Sequence, residues 1–178
     1  MKTNLAFSFF LLSLSVITSC NNQPDQSQTG TIAETKNNII MDKEQLTNFG
    51  NKYSEAWSSQ KAESVAAFFA PNGSLKVNDD SPATGREAIT KVAQGFMTAF
   101  PDMIVAMDSL ITKSSGTEFH WTLTGTNSGP GGTGNKVKIS GFERWQFNEG
   151  LIQESIGSFD ATEYNRQLKI GINPEKID

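Results

Sequence analysis

The chain has 178 residues, with 19 Asp and Glu against 15 Lys and Arg, one histidine and one cysteine. That length suits one ordinary domain, and an acidic balance without a basic cluster argues against a nucleic-acid partner. A single cysteine excludes an internal disulfide, and one His with one Cys is a poor ligand set, so neither a metal nor a cofactor is expected.

The chain opens "MKTNLAFSFFLLSLSVITSC". Lys2 precedes an apolar run from Leu5 to Ile17 that is too short for a membrane span of roughly 20 residues. This charged-then-apolar layout is that of a secretory signal, residues 1–19. The ending Ile17-Thr18-Ser19-Cys20 resembles the lipobox of bacterial lipoproteins, whose cysteine is lipidated; the plainer alternative is a signal peptide with an incidental cysteine. Under the lipoprotein reading, Cys20 carries the anchor. Asn21 stands where Asp would favour inner-membrane retention, so the outer membrane of the cell envelope is expected. Residues 20–40, rich in Asn, Gln, Ser and Thr, cannot bury enough surface to offset their conformational entropy and read as a flexible tether.

The domain is expected at 41–170, with a tail at 171–178. "DKEQLTNFGNKYSEAWSSQ" places Leu46, Phe49, Tyr53 and Trp57 on one helical stripe. "KAESVAAFFAPNGSL" holds a shorter helix, stopped by Pro71-Asn72-Gly73. "GREAITKVAQGFMTAFPDM" gives a third, with Ile89, Val92, Phe96 and Phe100 on one side. An aromatic stripe at helical spacing is by default core. The short "GSLKVND" and four later runs, "DMIVAMDSLITKSS", "TEFHWTLTGTNSG", "NKVKISGFERWQFN" and "LIQESIGSFD", have strand character. The order predicts an α+β fold, with helices covering one face of a curved antiparallel sheet. The segment "SGPGGTGN", 128–135, lacks the order of a phosphate-binding loop and reads as a mobile hairpin loop at a cavity rim.

Seven strings in this order, "YSEAW", "FFAPNGSL", "GREAITKV", "AFPDM", "HWTLTGTNSG", "GFERWQFNEGLIQE" and "SFDATEYNRQL", resemble the SnoaL-like polyketide cyclases and ester cyclases of the nuclear transport factor 2-like superfamily. The resemblance implies a cone in which three N-terminal helices close over a bent sheet. It implies a pocket between them, for which Tyr53, Trp57, Phe69, Phe96, Phe100, Trp121, Trp145, Glu154 and Ile156 are the candidate residues. It further implies a homodimer through the outer sheet face. Family cyclases use a late-strand carboxylate as general acid/base, and Phe159-Asp160 matches the Phe-Asp that commonly ends that strand. Fold membership alone does not establish catalysis.

"RWQFNEGLIQESIGSFD", 144–160, reads as a hairpin turning at Glu149-Gly150. A straight ladder sets Phe147 opposite Ile152, Trp145 opposite Glu154, Glu143 opposite Ile156 and Ile139 opposite Asp160. Alternation then turns Glu143, Glu154 and Asp160 inward with Trp145 and Phe147, and a one-residue slip in one strand breaks this arrangement. Burial raises a carboxyl pKa toward neutrality, where the group can accept and return a proton beside a carbonyl. A bonded partner such as Tyr53 lowers it.

Each carboxylate also has a structural reading. Asp160, three residues before Glu163, fits a helix cap. Glu154, near the hairpin end, fits an exposed or paired group. Glu143 has no cap to explain it and is the preferred catalytic candidate beside Asp160, although a hydrogen bond to Tyr53 or Trp57 would also account for it. Many relatives carry His-Trp where Ser155 and Ile156 stand, and His where Asn127 stands. His120 alternates with Phe119 and Trp121 and is expected to face outward. Three functions remain open: a lipid-anchored acid/base catalyst acting on a small apolar or carbonyl-bearing molecule, a non-catalytic ligand binder, and a protein-interaction module.

Overall fold

The computed structural model describes residues 41–172, and the expected signal, Cys20, the expected tether and residues 173–178 lie outside them. Helix α1 (Lys43–Ser58) begins at a capping box. Asp42 accepts from the Gln45 backbone N–H at 2.8 Å, and the Gln45 side chain accepts from the Asp42 N–H at 3.0 Å. Its buried stripe contains Leu46, Gly50, Tyr53 and Trp57. Then follow α2 (Ala62–Ala66), β1 (Phe69–Val77), β2 (Ala83–Thr84) and α3 (Arg86–Ala99). The sheet continues with β3 (Ile104–Lys113), β4 (Gly116–Thr126), β5 (Lys136–Asn148) and β6 (Leu151–Phe159), and α4 (Ala161–Ile170) ends the fold.

The six strands form one sheet in the order β2-β1-β6-β5-β4-β3. Every pairing is antiparallel except β1 with β6, which is parallel and corrects the expectation of a wholly antiparallel sheet. β1 also starts earlier than its sequence suggests. Pro71-Asn72-Gly73 lies inside the strand, at a register irregularity between Phe69 and Ser74 where proline's missing N–H interrupts no ladder. Gly73 is required there, since a Cβ would come within 2.7 Å of the Ile152 carbonyl oxygen.

Helices pack on the inner face around Tyr53, Phe69, Phe100, Phe119 and Trp145, all fully buried. α1 approaches β3 at Gly50, where a Cβ would meet the Met107 sulfur at 2.6 Å. α4 adds a fourth helix to the expected three. Its buried Gln167 accepts from the Lys138 N–H at 2.7 Å and donates to the Lys138 carbonyl at 3.0 Å. It thereby takes the place of a strand partner where β5 runs past its pairing with β6. The 128–135 loop is tied to α3: Gly129 N–H donates to the Ala99 carbonyl, and a Cβ on Gly129 would overlap the Thr98 carbonyl.

The β5–β6 hairpin decides what faces inward. Its turn is as expected, with Glu149 at φ 51 and Gly150 at φ 78, and Phe147 pairs with Ile152. Next, however, Gln146 pairs with Glu154, so Gln153 has no partner in β5. This single-residue bulge shifts the rest of β6 by one. Trp145 faces Ser155, Glu143 faces Gly157 and Gly141 faces Phe159.

Candidate functional site

The bulge corrects three expected positions. Glu154 lies opposite Gln146 on the outer face and is exposed, and Ile156 pairs with Arg144 on that same face. Neither reaches the interior. Asp160 falls just beyond the strand, exposed, and accepts from the Glu163 N–H at 2.9 Å as the N-cap of α4. It therefore presents no carboxylate to the interior, which leaves Glu143 alone among the three. His120 is half-buried on the outer face with its Nε2 3.3 Å from Glu118 Oε2. Among the described residues no cluster of His, Cys, Asp and Glu could hold a metal.

An interior cavity of about 50 Å³ lies between the sheet and the helices. Trp57 from α1 and Phe96 from α3 line one side. The sheet supplies Leu75, Val77, Val105, Trp121, Leu123, Glu143, Gly157 and Phe159. Thus Trp57, Phe96, Trp121 and Glu143 line it, whereas Tyr53, Phe69, Phe100 and Trp145 are fully buried and do not. Sequence reasoning missed the contributions of β1 and β3 and the inward row Ser155, Gly157 and Phe159. The alternation of two small residues with Phe159 was the available signal for that row.

Glu143 is 6% exposed. Three hydrogen bonds converge on its Oε2: from Ser155 Oγ at 2.6 Å, Tyr53 hydroxyl at 3.0 Å and Trp145 Nε1 at 3.1 Å. None from the described residues falls on Oε1, so this is the oxygen left for the cavity. Burial pushes the carboxyl pKa up, against the opposing pull of the three donors. Both expected influences are therefore present, and burial outweighs hydrogen bonding. Burial and the neighbouring carboxylate also hold the Tyr53 hydroxyl well above its ordinary pKa. With Oε2 saturated by donors, a proton taken up by Glu143 belongs on Oε1, on the cavity side.

Two residues of the cavity wall also carry buried polar atoms. The indole Nε1 atoms of Trp57 and Trp121 are buried and make no hydrogen bond. The Trp57 N–H lies toward the Tyr53 hydroxyl, near enough to favour its ionised form slightly, without completing a bond. Trp121 lies over Gly141, where a Cβ would come within 2.7 Å of the indole ring.

Solved structures share this arrangement of helices and sheet at low sequence identity. TsrD from Streptomyces laurentii is 15% identical, with a TM-score of 0.63 over 72% of this chain and 98% of its own. A protein of ketosteroid isomerase-like fold from Catenulispora acidiphila, solved with trimethylamine, is 13% identical, with a TM-score of 0.60 over 71% and 93%. A protein described as a SnoaL-like polyketide cyclase, from Jannaschia sp. CCS1, is 17% identical, with a TM-score of 0.61 over 73% and 93%. No curated protein matches the sequence. The family profile of the SnoaL-like polyketide cyclases matches residues 48–168, from within α1 to within α4, and on that match the chain belongs to this family.

Proposed function

We propose that the domain binds a small, largely apolar, carbonyl-bearing molecule in the cone and that Glu143 moves a proton on it without a cofactor. The supporting observation is a buried carboxylate with one oxygen fixed by three donors and the other left for an apolar cavity. The base form of Glu143 takes a proton from the carbon beside the carbonyl, breaking C–H and forming O–H. In an isomerisation it returns that proton to another carbon of the same enolate. In a ring closure the enolate carbon adds to a second carbonyl of the molecule, breaking its C=O π bond, and the proton goes to the alkoxide oxygen left there. A cavity of about 50 Å³ is well below the roughly 300–1,000 Å³ of ligand sites, so the half-buried Phe96, Trp121 and Phe159 must yield for a substrate to enter.

Deuterium incorporation beside the carbonyl of small cyclic ketones, followed by NMR in D2O, tests this reading. Wild type should accelerate exchange and Glu143→Gln should abolish it while keeping ketone affinity. An NMR titration of the Glu143 carboxyl giving an ordinary or lowered pKa would sink the proton-transfer role. Ketone binding without exchange would instead identify a non-catalytic binder, a role compatible with a carboxylate that also ties α1, β5 and β6 together.

Attachment of the domain to the bacterial envelope through lipidated Cys20 belongs to the same proposal, supported by the lipobox-like ending of the signal. Cys20→Ser should release the protein from the membrane fraction. The outer sheet face, with Ile104, Ile111, Phe142 and Ile156 among polar residues, is the proposed homodimer surface.

A further inference from the structure

Pro71-Asn72-Gly73, in the irregular stretch of β1, lies outside the cavity lining and takes no part in the proton transfer given to Glu143. Neither Asn72 nor Gly73 has a ladder partner in β6 or β2, where pairing resumes at Ser74. The Asn72 carbonyl accepts from the Gln153 side chain at 3.4 Å, and the Gly73 carbonyl from the Gly85 N–H at 2.8 Å. Asn72 is exposed, and its side-chain amide makes no hydrogen bond to the described residues.

An asparagine followed by glycine is a reactive pair. Glycine has no side chain to shield its own backbone nitrogen, and it gives the chain the freedom to bring that nitrogen onto the neighbouring amide. The other described asparagines are protected in one of two ways. Three are pinned: Asn78 Oδ1 accepts from the Phe159 N–H, Asn127 Oδ1 accepts from the Thr133 N–H, and Asn135 Nδ2 donates to the Leu168 carbonyl, each at 2.9 Å. The remaining four, Asn48, Asn51, Asn148 and Asn165, precede Phe, Lys, Glu and Arg. Among the described residues only Asn72 is both unpinned and followed by glycine. The glycine cannot be exchanged to protect it, because a Cβ at position 73 would crowd the Ile152 and Ala70 carbonyl oxygens.

We propose that Asn72 is a modification site, converting in the folded protein to aspartate and isoaspartate through attack by the Gly73 backbone nitrogen. That nitrogen gives up its proton and bonds to Asn72 Cγ. The bond from Cγ to the side-chain nitrogen breaks, and the amide leaves with the proton as ammonia. Water, the only co-reactant, then opens the cyclic imide at one carbonyl or the other. The isoaspartyl product has an extra main-chain carbon between residues 72 and 73, ahead of the paired run. That carbon falls where β1 is already out of register with β6. The pairs from Ser74–Glu154 to Val77–Gly157, and with them Leu75 and Val77 in the cavity wall, therefore keep their places.

The test ages the unmutated full chain, folded, at mildly alkaline pH in water enriched in heavy oxygen, and reads tryptic peptides by mass spectrometry. The peptide from Ala62 to Lys76 carries Asn72. It should take up heavy oxygen at least about tenfold faster than any peptide carrying another asparagine of the domain. It should resolve into two products of equal mass, one of them a methyl acceptor for a protein isoaspartate methyltransferase, and Asn72→Gln should abolish both. The aged protein should keep its cooperative urea melt. Uptake at Asn72 no faster than at Asn127 or Asn148, uptake only in urea-unfolded protein, or a mass gain without heavy oxygen would overturn the site. Loss of the cooperative melt in step with conversion would overturn the absorption of the extra carbon by β1. Neither result bears on ketone deuterium exchange by Glu143, which is measured separately.

Discussion

The two sides of Glu143 are built on different terms. Toward Oε2 lies a dense aromatic cluster. Phe119 stacks on Trp145 at 4.6 Å, and Tyr53 meets Trp145, Phe68 and Phe119 edge-on at 5.1–5.4 Å. The Tyr53 hydroxyl and the Trp145 N–H both end on the carboxylate. Around the cavity the rings are fewer and farther apart, Trp57 with Phe96 at 6.0 Å and Trp121 with Phe159 at 6.1 Å, and both indole hydrogens lack partners. One side uses aromatic residues to close a core. The other uses the same residue types to border a space and leaves their donors unspent. Composition alone cannot tell such sides apart; what separates them is whether the polar hydrogens are satisfied.

Truncating one ring on each side gives the largest contrast. Tyr53→Ala removes a fully buried ring and a donor to Glu143, and should cost about 3–5 kcal/mol in urea unfolding. Phe96→Ala removes a half-buried ring beside the cavity and should cost about 1 kcal/mol. Equal losses would mean that the cavity side is packed as tightly as the core.

The next effect separates the two oxygens of the carboxylate. Because its folded pKa lies above the unfolded value, the folded state holds the proton more tightly. Stability should therefore fall as pH rises from the ordinary carboxyl pKa to the folded one, and level off beyond. Glu143→Gln should flatten that decline. Ser155→Ala removes the 2.6 Å bond and pushes the pKa further up. It should deepen and extend the decline, costing about 1.5–3 kcal/mol where Glu143 is ionised. Urea melts across a pH series measure all three proteins. A wild-type profile that rises over this window would contradict the dry setting of Glu143.

The smallest expected effect on stability falls at Gly157, directly across from Glu143. A Cβ there would lie 3.4 Å from Glu143 Cγ and from the Lys76 carbonyl oxygen, close to ordinary contact. Gly157→Ala should change stability by less than about 1 kcal/mol. It should weaken the binding of small cyclic ketones about tenfold, because the methyl takes space the ligand needs. Undiminished affinity would place the ligand elsewhere.

Much of this was legible in the sequence because it depends on local periodicity. The stripe from Leu46 to Trp57 and the outward His120 follow from spacing alone. Glu143 was legible because β4 and β5 pair without interruption from Thr117–Trp145 to Thr126–Lys136. For Asp160 the capping pattern, visible three residues ahead of Glu163, describes its place and the catalytic alternative does not. The parallel pairing of β1 with β6 joins segments about eighty residues apart and leaves no local mark. Nor does the bulge, since Gln153 differs in no compositional way from a paired strand residue. The orphaned indole hydrogens exist only once β4 and α1 have met across the cavity.

Gln153 also determines where this hairpin can change length. Its side chain donates to the Asn72 carbonyl at 3.4 Å, bridging to the irregular stretch of β1, but no residue of β5 depends on it. A chain lacking Gln153 would keep every pairing from Trp145–Ser155 onward and lose the local bend. A chain with one residue added after Ser155 would turn Gly157 and Phe159 to solvent. β6 can thus shed a residue at one half-buried position and keep its cavity wall, while an insertion two positions later would erase it. Single-site substitution would leave that asymmetry hidden; a scan of one-residue insertions and deletions would reveal it.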